Sequence, residues 1–147
     1  MKRRYAKFLT CFVLGLFLSI PVFSAHVDTL ITRSEAMQKT IKAVVIRPET
    51  GPNSAAKFPV LYLLHGHGGA YDHWIKEVPA LKEYVDQYQI IIVCPDGGIG
   101  SWYWDSPEDP SFRYETYVAK ELVSAIDAQY PTLAHRQGRA ITGLSMG

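Results

Sequence analysis

The chain has 147 residues, room for one domain. Its 15 lysines and arginines nearly balance its 14 aspartates and glutamates, which argues against a basic surface for nucleic acid. No internal repeat, charge block or low-complexity tract interrupts it.

The first stretch reads apart from the rest. Lys2, Arg3, Arg4 and Lys7 are basic, residues 8–20 are apolar, Pro21 breaks the run, and Val22-Phe23-Ser24-Ala25 offers small residues for cleavage. This is the pattern of a secretory signal peptide, assigned to residues 1–24; the apolar run is short for a bilayer span, and an uncleaved anchor is the rival reading. The expected product is secreted or periplasmic, with no stable membrane anchor. Four of the 15 basic residues leave with the leader, so 11 face 14 acidic ones. Residues 25–147 keep a single cysteine, Cys94, which excludes an internal disulfide. It lies in an apolar run and reads as a small buried hydrophobe.

Residues 27–31 and 41–46 read as strands joined by a polar segment at about 34–39, an antiparallel pair. Residues 48–57 have the glycine, proline, asparagine and serine of a surface loop. Residues 60–64 and 90–94 are continuous apolar runs, the mark of strands buried on both faces of a parallel sheet. Between them, Trp74, Val78, Leu81 and Val85 follow helical spacing over 74–88, with Pro79 near the first turns or at a kink. A second helix is expected over 114–129, stopped by Pro131, and residues 139–142 form a last strand. Strands alternating with helices predict an α/β fold, a mostly parallel sheet with an antiparallel N-terminal pair. Function in such sheets gathers in loops beyond the carboxyl ends of the strands.

Three motifs occupy those loops. Gly143-Leu144-Ser145-Met146-Gly147 follows the last strand and has the Gly-x-Ser-x-Gly form of a nucleophile elbow. A serine hydroxyl needs a neighbouring base to become a nucleophile, and the elbow thrusts it where one can approach. The alternative is a plain turn serine. His65-Gly66-His67-Gly68-Gly69 follows residues 60–64. In this fold such a loop gives one backbone N–H to the oxyanion, and the residue after the nucleophile gives another. The candidates are His67 and Met146, Ser145 being the catalytic candidate. The bland reading is a glycine-rich turn that only bends the chain; His65 itself is expected in a structural hydrogen bond under the oxyanion loop. A rival joins His65, His67, Asp72 and His73 as zinc ligands, but the Asp-His pair falls three residues late for the known zinc-hydrolase spacing.

The third motif runs from Pro95-Asp96-Gly97-Gly98 to Ser101-Trp102-Tyr103-Trp104-Asp105. Clustered aromatics either pack their own loop down or offer flat faces to an aryl group or sugar. Trp102 and Trp104 are the substrate-binding candidates. Asp96 and Asp105 are poor candidates for a triad acid, which this fold places after the serine.

Taken together, these motifs, with Ser34-Glu35-Ala36-Met37 and Trp74, resemble the esterase D family of α/β-hydrolases. That family includes S-formylglutathione hydrolases, feruloyl and acetyl esterases and mycobacterial mycolyltransferases. The segment Ser101-Trp102-Tyr103-Trp104-Asp105-Ser106-Pro107 resembles its secreted bacterial branch associated with polysaccharide degradation. The resemblance implies an α/β-hydrolase fold, Ser145 as nucleophile, and oxyanion donors on His67 and Met146. It places the acid and the histidine later than Gly147, so the chain is expected to be an N-terminal portion, truncated at the elbow, inactive by itself and with an unpaired last strand. The expected activity of the whole is serine carboxylic-ester hydrolysis through an acyl-serine, acting on small-molecule or oligosaccharide esters such as acetyl or feruloyl esters of plant polysaccharides. No cofactor and no metal are implied. The alternatives are acyl transfer to a sugar or lipid hydroxyl, and a non-catalytic secreted binding module.

Overall fold

A computed structural model describes residues 25–51 and 54–147. The signal peptide read over residues 1–24 lies outside the described residues.

β1 (His26–Ser34) and β2 (Lys39–Arg47) pair antiparallel from His26↔Arg47 to Ser34↔Lys39. Both run past their apolar stretches, because the ladder is made by main-chain groups and carries polar residues equally well. The turn between them is clamped from afar. The Ser34 hydroxyl and the Ala36 N–H donate to the Glu121 carboxylate at 2.6 and 2.9 Å.

β3 (Val60–Leu64) leads into α1 (His73–Glu77), α2 (Leu81–Tyr88) and β4 (Ile91–Pro95). The single helix expected over 74–88 is therefore two. Pro79 has no N–H to give and its ring crowds the carbonyl four residues back, so α1 ends and a new helix begins after it. From β4 the chain crosses through α3 (Tyr114–Thr116), a π-helical stretch (Tyr117–Leu122) and α4 (Val123–Gln129) to β5 (Arg139–Gly143). These three stretches make the continuous run expected over 114–129. The widened π turn is pinned to the hairpin by Glu121 and by Tyr117, whose hydroxyl hydrogen-bonds with that of Thr32 at 2.8 Å.

The sheet order is β1-β2-β4-β3-β5, with β3 parallel to both β4 and β5 and β2 antiparallel to β4. Alternate residues point to opposite faces. Val44, Ile46, Leu63, Ile92 and Cys94 pack with Leu81 and Val85 of α2; Val45, Tyr62, Leu64 and Val93 pack with Tyr117, Leu122 and Ile126 on the other face. Burial on both faces explains why the apolar runs do not alternate. It also pushes the Cys94 thiol up to about 12, in keeping with the reading of Cys94 as a hydrophobe.

The chain leaves β3 for β4 on one side and arrives at β5 on the other, so the sequence order reverses around β3. In open α/β sheets the crevice above such a switch point is where ligands bind. Among the described residues β5 pairs only with β3, and Ile141 is 60% exposed on it. An apolar hollow of about 420 Å³, lined by Tyr62, Val118, Val123 and Ile141 among others, opens beside this bare edge.

Candidate active site

β3, β4 and β5 run in parallel, so their carboxyl ends meet at one edge, and each ends in one of the three motifs. After β5 the chain turns sharply. Leu144 N–H donates to the Leu64 carbonyl at 3.3 Å and Gly147 N–H to the Leu144 carbonyl at 2.9 Å. Ser145 sits within that turn at φ 56°, a left-handed conformation that costs a non-glycine residue about 1–3 kcal/mol. A β-carbon at Gly143 would lie 2.8 Å from the Leu64 carbonyl oxygen, and one at Gly147 2.7 Å from the same atom. The glycine spacing is thus a steric requirement imposed by β3. Ser145 is exposed, and among the described residues its hydroxyl makes no hydrogen bond.

The loop after β3 lies against this elbow: a β-carbon on Gly66 would be 3.6 Å from Ser145 Cβ. His65, 1% exposed, forms the floor of the loop. Its Nε2 accepts from Gly97 N–H at 2.9 Å, so the ring proton of the neutral form sits on Nδ1 and is donated to the Gly66 carbonyl at 2.8 Å. Its backbone N–H donates to the Tyr103 hydroxyl at 3.1 Å, and the two rings meet edge to face at 5.7 Å. Burial holds the Tyr103 phenol well above its ordinary pKa. His65 is therefore the structural histidine expected beneath the loop.

His67 is exposed at the loop's tip. Gly68 N–H donates to the Ile99 carbonyl at 2.9 Å and Gly69 N–H to the Gly66 carbonyl at 3.1 Å, which fixes the loop's shape. Among the described residues the backbone N–H groups of His67 and Met146 have no acceptor. These are the two amides that the motifs single out as oxyanion donors.

The aromatic loop divides its labour. Trp102 and Tyr103 are both left-handed, at φ 56° and 51°, in a tight turn closed by Tyr103 N–H on Ser101 Oγ at 3.0 Å. Tyr103 folds inward beneath the histidine, while Trp102 and Trp104 stay 63% and 51% exposed. Packing and display, open alternatives for the motif as a whole, fall to different residues. Both nearby carboxylates serve the loop. Asp96 Oδ1 accepts from Gly98 N–H at 2.8 Å, and Asp105 accepts from the Thr116 N–H and hydroxyl at 3.0 and 2.5 Å. Partial burial works against the charge of Asp105, but the Thr116 bonds outweigh it and hold the carboxyl below its usual range.

The zinc reading does not assemble. Both ring nitrogens of His65 are engaged and Asp72 pairs with Lys76 at 2.6 Å. Among the described residues no group of three or more histidines, cysteines or carboxylates is placed to hold a metal.

The sequence points to His65 in the floor but not to the residues that hold it. Tyr103 and Trp74 anchor it, the latter by donating its indole N–H to the Leu64 carbonyl at 3.0 Å. The only signal for either was its place in a motif shared with the resembled family.

A mostly parallel sheet with a left-handed serine elbow after one strand and a glycine loop after its neighbour is the fold of an α/β-hydrolase. Residues 34–147 match the model of the family described as "Putative esterase", and the chain belongs to that family. An esterase of Mycobacterium tuberculosis is 36% identical over 107 residues, covering 70% of this chain and 23% of its own. The acetyl esterase of Caldicellulosiruptor saccharolyticus is 27% identical over 121 residues, 78% of this chain and 44% of that one. A solved ferulic acid esterase superposes with a TM-score of 0.73 at 31% identity, over 84% of this chain and 50% of the other. The chain spans half or less of the length of each of these relatives.

Proposed function

We propose that residues 25–147 form the nucleophile-bearing part of an exported serine carboxylic-ester hydrolase. The observation that carries this reading is Ser145 itself: exposed, held left-handed between two glycines, and followed by an amide with no acceptor among the described residues. In the proposed reaction the Ser145 hydroxyl attacks the ester carbonyl carbon while a histidine takes its proton. The oxyanion is held by the N–H groups of His67 and Met146, each worth about 3–4 kcal/mol in the transition state. The alcohol leaves with the proton, water attacks the acyl-serine by the same route, and the acid is released.

The base is not His65, whose Nε2 lone pair already accepts from Gly97. Among the described residues no histidine bonds to Ser145, and the histidine and its acid partner are assigned to residues outside these 147. No cofactor takes part. Acetyl and feruloyl esters of plant polysaccharides are the proposed substrates. Support comes from relatives named acetyl esterase and ferulic acid esterase, and from the exposed Trp102 and Trp104, whose faces suit an aryl group or a sugar. The leader at 1–24 supports export.

The test is turnover of 4-nitrophenyl acetate and methyl ferulate by the complete enzyme. Ser145→Ala should cost at least about 10⁴-fold in kcat. The 147-residue chain alone should be inert, and serine-dependent turnover by it would contradict the placement of the base. Free acid as the sole product in the presence of added polyol separates hydrolysis from acyl transfer.

A further inference from the structure

On the sheet face opposite the π-helical stretch, far along the chain from Ser145, Ala25 meets Asp86. Ala25 is 8% exposed and packs in the core with Leu81 and Val85 of α2. Its backbone nitrogen donates to Asp86 Oδ2 at 2.9 Å. The other oxygen, Asp86 Oδ1, is buried and has no partner among the described residues. Among the described residues no lysine, arginine or histidine pairs with Asp86. A buried carboxylate oxygen without a donor is costly and rare in native folds.

The cost follows from counting hydrogens. The peptide N–H of Ala25 carries one and can serve only one carboxylate oxygen. A free α-ammonium carries three and a positive charge, and could serve both. Ala25 is also the residue that follows the leader assigned to positions 1–24. We propose that the Ser24–Ala25 peptide bond is the processing site, and that the freed α-ammonium of Ala25 docks on the Asp86 carboxylate as a partly buried ion pair. A signal peptidase hydrolyses the bond: the water oxygen joins the Ser24 carbonyl carbon, the C–N bond breaks, and the Ala25 nitrogen takes up the protons that make it an ammonium. The new charge then neutralises Asp86 and gives Oδ1 its missing donor. Maturation would thus complete the packing of β1 against α2, with the terminus as a staple.

This rests on the export reading of the leader and not on the esterase chemistry, so every readout is independent of ester turnover. Intact mass and N-terminal sequencing of the exported enzyme should find Ala25 first; maturation at any other bond overturns the proposal. A variant with Ser24 retained as the first residue moves the charge one residue away. Its Tm should fall by about 4 °C or more. The same extension should shift Tm by less than about 1 °C in an Asp86→Asn background, where no carboxylate awaits the charge. An equal fall in both backgrounds overturns the ion pair. Should Asp86→Asn fail to fold, the Ala25 amine of the unaltered enzyme still decides. It should react with an amine-selective acylating reagent at least about tenfold more slowly when folded than when denatured. Equal rates overturn the docking.

Discussion

His65 and His67 stand two residues apart after β3. His65 is 1% exposed, with both ring nitrogens and its backbone N–H engaged; His67 is exposed, and its backbone N–H has no acceptor among the described residues. The same contrast runs through the neighbouring loops. Tyr103 is tucked under His65, while Trp102 beside it displays its indole, and Met146 keeps an unspent N–H behind an exposed Ser145. A floor of satisfied polar groups carries a rim of exposed side chains and of N–H groups with no acceptor among the described residues. Strain and unspent donors persist only where surrounding structure over-determines them, and here that structure is the floor. A site must be rigid where it is not reactive in order to leave donors open where it is.

This contrast can be broken at several points. The largest effect is expected at the elbow, where Gly147→Ala puts a methyl group into the Leu64 carbonyl. Displacement of Ser145 by about 1 Å should cost on the order of 10²-fold in kcat of the complete enzyme. A fully active Gly147→Ala enzyme would show the elbow to be slack.

The histidines come next. His65→Ala strands Gly97 N–H and the Gly66 carbonyl and should lower stability by about 2–4 kcal/mol in urea melts. His67→Ala keeps its backbone N–H, so stability should stay within about 0.5 kcal/mol and kcat should change little. Equal destabilisation by the two would erase the distinction between floor and rim. Tyr103→Phe sharpens it, since it removes only the acceptor of His65 N–H and should cost about 1–3 kcal/mol.

Trp102→Gly relieves a left-handed residue and removes an exposed ring. Stability should hold within about 1 kcal/mol, while KM for a feruloyl ester should rise about 5–30-fold through loss of 1–2 kcal/mol of stacking. An unchanged KM would remove Trp102 from the substrate wall. At neutral pH the smallest effect is expected from Cys94, buried in β4 just before the third motif. Its thiol pKa is raised in the fold, so its contribution is intact below its ordinary value near 9. Above that the unfolded chain ionises first, so stability should decline as pH rises from about 9; Cys94→Ala should remove the part of the loss that begins there and leave the part that the buried phenols of Tyr62, Tyr103 and Tyr117 add above about 10.

Much of this architecture is legible in one dimension because its signals are local. Continuous apolar runs marked β3 and β4, and glycine spacing marked the elbow and the loop beside it. The clamps are not local. Glu121 reaches Ser34 and Ala36 across 87 and 85 residues, and Tyr103 reaches His65 across 38. A glutamate on a helix looks like any solvated charge until the turn it holds is placed beside it. The π turn has the same cause: helical spacing fits residues 114–129, and only their partners on the hairpin show where the helix widens. Pro79 announced itself, but its effect was ambiguous, since a proline in a first turn and one between two helices share the same residue pattern.

The central claim is that Ser145 is the group that becomes acylated. Incubation of the complete enzyme with a fluorophosphonate, followed by peptide mass spectrometry, tests it directly. The account predicts one stoichiometric adduct on Ser145, absent from the Ser145→Ala variant. An enzyme that turns over esters while Ser145 stays unmodified, or that carries the adduct elsewhere, would contradict it.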